Sequence, residues 1–207
     1  MRICTSKCAV PARALRKIGA TLAPVDNLSL LLVAFMFITI LTLGIASILA
    51  ELAEVVRHVE RKDRDGLLVG WTLLLLFAYF SLFWHTADIA LLEDWDFPLF
   101  LFAETGPVLL LFATQIMLGA LSAAGEGEEI SCVRQSRFFL IFALVQAWSI
   151  AAGFVVGLGF TIDSVIDAIA MVTCLALASS TSRPLHVAGL TVVWIAYIVG
   201  ALLESFG

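Results

Sequence analysis

Four ionisable side chains sit inside long apolar runs of this sequence: His85, Asp88, Glu104 and Asp167. An ionisable group in hydrocarbon is costly, and where one persists it marks an ion or proton path or is held by a partner. Carboxylates with an imidazole are the side chains that pass protons or hold a small cation, and the ordinary titration of histidine falls nearest physiological pH. Spacing strengthens the case. At about 3.6 residues per turn, Ser81, His85 and Asp88 share one helical face, and Asp163, Asp167, Ala170 and Cys174 share another. Gln146, Ser149, Gly153 and Gly157 form a third stripe, and Glu104 and Gln115, eleven residues apart, form a fourth. Stripes of this kind are expected to face a bundle interior. Gly153 and Gly157 also make a GxxxG pair, which allows close packing of helices within a bundle or between subunits.

A plainer account competes with this one. His85 and Asp88 would pair with each other or with backbone carbonyls. Asp163 would cap a helix start, as Asp does elsewhere. Glu104 would snorkel to the surface or hydrogen-bond the chain near Pro107. Glu51 and Glu54 would form ion pairs with Arg57 and Arg61 on a helix end.

Several membrane chemistries lack their residues. The lysines are Lys7, Lys17 and Lys62, none placed within an apolar run to carry a retinal Schiff base. A bis-histidine haem needs two imidazoles at one depth, but only His85 of His58, His85 and His186 lies well inside a run. HExxH, GxSxG and Walker A sequences are missing. Cys4, Cys8, Cys132 and Cys174 contain no CxxC pair and read as free thiols. Asp163 and Asp167 make a DxxxD pair of the kind that holds Mg²⁺ in some membrane transferases, but the basic residues for a phosphate fall mainly at the opposite face. The sequence names no cofactor.

The elements that must position these residues follow from composition. The chain has 207 residues, 61% hydrophobic and 14% charged, with a mean hydropathy of +1.04. Soluble chains run about 45–50% apolar and about 25% charged. That excludes a soluble enzyme, a nucleic-acid binder, a disordered tail and a disulfide scaffold. Runs of about 20 apolar residues cross about 30 Å of hydrocarbon, and the spans are expected at about 28–50, 67–91, 97–121, 138–158, 162–178 and 185–203. The fold class is therefore all-α, a polytopic six-helix transmembrane bundle, because only helices or closed barrels satisfy their backbones in lipid. Residues 1–27 read as a basic tail, expected to lie as an interfacial helix and not as a signal peptide, since Arg13, Arg16 and Lys17 break its apolar stretch. Residues 28–207 read as one domain.

Arginine and lysine cluster in cytoplasmic loops. Arg57, Arg61, Lys62 and Arg64 follow the first span, Arg134 and Arg137 the third, and Arg183 the fifth. The other exits carry Glu93, Asp94, Asp96, Asp163 and Glu204. This places loops 51–66 and 122–137 in the cytoplasm and the termini outside, against the pull of Arg2, Lys7, Arg13, Arg16 and Lys17 in the tail. At about 1.5 Å per residue, His85, Asp88, Glu104 and Asp167 then share a level in the outer third. Trp71, Trp84 and Trp95 are expected in the interfacial belts, and Trp148 and Trp194 in mid-span packing.

The expected protein is a homo-oligomer of a bacterial inner membrane, in contact with lipid and a proton or small cation. It would be a channel or transporter with an acidic outward vestibule, continued inward by Gln115 and Gln146. A non-transporting module (sensor, assembly partner or scaffold) is the second class, and an intramembrane lipid-modifying enzyme the third.

Overall fold

The computed structural model describes residues 27–57, 66–89, 96–122, 128–157 and 159–206. The tail, with the interfacial helix expected there, lies outside these residues, as do Glu93, Asp94 and Trp95. The side chains of His85 and Asp88 also lie outside them.

All described elements are helices: α1 (Asn27–Arg57), α2 (Gly66–Ile89), α3 (Phe97–Ser122), α4 (Glu128–Val155), α5 (Ile162–Ala178) and α6 (Arg183–Phe206). Five of them, all but α5, are long and apolar enough to cross a membrane. With 17 residues, α5 measures about 25 Å at about 1.5 Å per residue, close to the hydrocarbon thickness. The chain is an integral, multi-pass membrane protein, and its outward surface is correspondingly apolar, with Phe35, Phe80, Val172 and Ile195 exposed.

The first and fourth helices run furthest past their expected limits. The first continues to Arg57, where Arg57 and Glu54 approach to 3.7 Å. Being exposed, that pair adds little to stability. The fourth starts at Glu128 and not at 138, so Arg134 and Arg137 belong to a helix and not to a loop. Its added turns are anchored by Ser136, whose hydroxyl donates to Ala178 O at 2.7 Å and satisfies a carbonyl at the end of α5. At its other end α4 stops at Val155, and Gly157 (φ 84°) and Gly159 (φ 69°) make the left-handed turn into α5. Pro107 lies inside the third helix, where its ring removes a backbone donor. The helix runs through it, as membrane helices commonly do.

The helices form a ring. Each of α2, α3, α4, α5 and α6 packs on the next, and α6 closes back on α2, while α1 packs outside against α2 and α3. Aromatic contacts close the α2–α6 seam, with Phe77 5.8 Å from Trp194 and 5.6 Å from Tyr197.

The two ends of the ring differ. One end carries exposed Arg57, Arg137 and Arg183; the other carries Asp96 and Asp163. Near the arginine end buried aromatics from different helices pack on one another. Trp71 lies edge-on to Phe139 (4.9 Å) and Phe138 (6.1 Å), Phe138 stacks on Phe142 (5.8 Å), and His186 stacks on Phe139 (5.2 Å). The belt expectation for Trp71 is corrected: its ring is fully buried in this cluster, because the face of α2 that it occupies is turned toward α4. Trp84, by contrast, is 78% exposed near the end of its helix.

Candidate functional site

Toward the aspartate end the ring opens into a cavity of about 370 Å³. All five ring helices contribute to its wall and α1 contributes nothing. Its polar wall comprises Ser81 from α2, Gln146 and Ser149 from α4, Tyr197 from α6, and Thr161, Asp163, Ser164 and Asp167 at the entry to α5. Ala78, Leu82, Leu110, Val145, Ala152 and Val156 supply apolar surface between them, and Trp148 an aromatic one.

Local chemistry fixes the acidic wall. Thr161 is the N-cap of α5: its hydroxyl accepts from Ser164 N at 3.4 Å, and Thr161 N donates to the Ser164 hydroxyl at 3.3 Å. This reciprocal pair is a capping box. It corrects the capping role considered for Asp163, which stands in the first turn and is half-buried on the cavity wall. A carboxylate there is favoured by the helix dipole. One turn on, Asp167 is buried at 9% exposure and lines the same cavity as Tyr197.

The opposite wall is braced by two bonds. Gln146 donates through Nε2 to the Tyr197 hydroxyl, tying α4 to α6. Trp148 donates through Nε1 to Phe102 O at 2.7 Å, tying α4 to α3. The Trp148 ring lies so close to Gly106 that an added Cβ would meet it at 2.3 Å. A glycine is required at that crossing.

Three of the four expected stripes therefore reach one cavity: Ser81 of the first, Gln146, Ser149 and Gly153 of another, and Asp163 and Asp167 of a third. The α2 backbone continues as helix to Ile89, so His85 stands one turn beyond Ser81 on the same face, and Asp88 nearly two. The α3 stripe does not join them. Gln115 is exposed on the outer surface of the bundle. Glu104 is buried at 7% exposure, outside the described cavity wall, and neither carboxyl oxygen has a hydrogen-bond partner among the described residues. That corrects both accounts offered for it, snorkelling and bonding near Pro107. Asp96, read as a vestibule acid, is the cap of α3, accepting from Leu99 N at 2.8 Å. Gly157 lies in the turn after α4 with no atom within 4 Å of an added Cβ, and Gly153 meets only Gly159 O at 3.8 Å. Close approach occurs instead at Gly106 and at Gly44, which faces the Tyr79 ring.

Sequence reasoning missed Tyr197, Thr161 and Ser164. Tyr197 carried a usable signal: a phenol in an apolar run needs a hydrogen-bond partner when buried. Its counterpart, Tyr79, likewise pairs with the Thr114 hydroxyl at 3.0 Å. Among the described residues no group of three His, Cys, Asp or Glu side chains is placed to hold a metal ion. Compared with known proteins, the chain matches no family model, no curated protein and no solved structure.

Proposed function

We propose that this protein binds protons or small cations in the cavity and moves them across a bacterial inner membrane, as a transporter and not as an open channel. The observation that carries the reading is the convergence of Asp163, Asp167, Gln146 and Tyr197 on one cavity inside a membrane bundle. Ionisable residues inside a membrane bundle commonly mark ion or proton paths. Trp71, Phe138, Phe139 and Phe142 pack together between the cavity and the arginine end, which supports alternating access to a fixed site over free conduction. Arg57, Arg137 and Arg183 gather at the end away from the cavity, so the positive-inside rule turns that end to the cytoplasm and the cavity outward. We assign His85 and Asp88 to the same site from their helical register with Ser81 alone.

The test is flux from reconstituted liposomes. Wild-type protein is expected to dissipate a proton or cation gradient, and Asp167→Asn and His85→Ala to slow it by about tenfold or more. Unchanged flux in both variants would remove the site. The aromatic cluster also favours a second reading, a sensor that binds in the cavity without transport. That protein shows no flux.

We also propose a homo-oligomer. Gln115 presents a carboxamide on the outward face of α3 beside exposed Phe112. Lipid cannot satisfy it, whereas Gln115 of a second copy offers a matching donor and acceptor. Interhelical bonds of this kind are worth about 1 kcal/mol, so Gln115→Leu is expected to shift the population toward monomer by about fivefold, measured by cross-linking in proteoliposomes.

A further inference from the structure

We propose that the occupant of the cavity is an organic ammonium ion with an apolar body, not a bare inorganic cation. This rests on the cation reading above and names its substrate class. Size is the first argument. At about 30 Å³ per water, a volume of 370 Å³ holds roughly a dozen waters, far more than one dehydrated ion fills. It falls in the range of about 300–1,000 Å³ typical of small-molecule sites.

The distribution of wall chemistry is the second. The acids lie on one side only, Asp163 and Asp167 one turn apart on α5. The rest of the lining is mixed: the apolar side chains of Leu110 and Val145 and the ring of Trp148 stand among Ser81, Gln146, Ser149 and Tyr197. An amine with a hydrocarbon body matches both kinds of lining at once. Its charged head pairs with Asp167 in a cavity that Tyr197 also lines. Its body lies along Leu110, Val145 and Trp148. The Gln146–Tyr197 bond holds the phenol in place, so the site is set before the ligand arrives.

Phenethylammonium is the probe, titrated calorimetrically into the full chain in lipid nanodiscs, with 2-phenylethanol as its neutral counterpart and NaCl as competitor. The amine is expected to bind saturably, and the alcohol about tenfold or more weaker, because it lacks the charge that Asp167 pairs. Asp167→Asn is expected to weaken the amine by a similar factor. Half-buried Asp163→Asn gives a smaller loss and serves as the second variant if the first does not fold. Equal binding of amine and alcohol overturns the proposal, as does full displacement of the amine by sodium. The two readings fail separately. Amine binding that depends on Asp167 without flux keeps the ligand class and removes transport. Flux that depends on Asp167 without amine binding keeps transport and removes the ligand class.

Discussion

Trp71→Ala is expected to destabilise the bundle by about 3 kcal/mol and to make it leak. Trp71 is fully buried and touches Phe138 and Phe139 edge-on. Removing an indole from a packed core costs about 3–5 kcal/mol in water-soluble proteins, through lost transfer energy plus the gap left behind. In a bilayer the transfer part shrinks, since lipid is as apolar as the core, so the lower end applies. The gap matters more for function. The aromatic cluster lies between the cavity and the arginine end, and Trp71 is its largest member. Liposomes carrying Trp71→Ala should therefore lose an imposed gradient faster than wild type, with protein unfolding in detergent at a lower temperature. A destabilised variant that is no leakier would place the permeation path elsewhere.

Glu104→Leu is expected to act in the opposite direction, raising stability by about 1–3 kcal/mol, the usual cost of a buried polar group without a partner. The carboxyl is buried on α3, both oxygens lack hydrogen bonds among the described residues, and it stands apart from the cavity wall. Leucine replaces it with similar length and no desolvation cost. Thermal unfolding in detergent should move upward. A fall instead would reveal that the carboxylate holds a partner outside the described residues. Retention of such a group at a stability cost is the pattern expected of a functional position.

Much of the architecture was legible from residues alone, for local reasons. Helices were set by apolar runs, because the backbone must satisfy itself wherever lipid surrounds it. The errors at helix ends came from the same criterion. Hydropathy registers the hydrocarbon slab, whereas α4 extends beyond it on the strength of Ser136 reaching Ala178 O, a contact between distant segments. The stripes on α2, α4 and α5 were legible because residues at i, i+3 and i+4 share a face in any helix.

Which stripes meet was settled only by the tertiary structure. Gln115 and Gln146 are the same residue type in similar apolar runs. One faces outward from α3 while the other is buried against Tyr197. In a soluble protein the apolar face reveals which way a helix turns, since the opposite face meets water. Here lipid and core are equally apolar, so hydrophobicity does not encode rotation about the helix axis. That rotation is fixed by shape, as where Trp148 lies against the bare backbone of Gly106 and bonds Phe102 O. The sequence by itself determined the helices and the end of the bundle at which the acids lie. Side-chain fit between helices, which no single segment contains, decided that Asp163 and Asp167 meet Gln146 and Tyr197 while Glu104 and Gln115 stand apart.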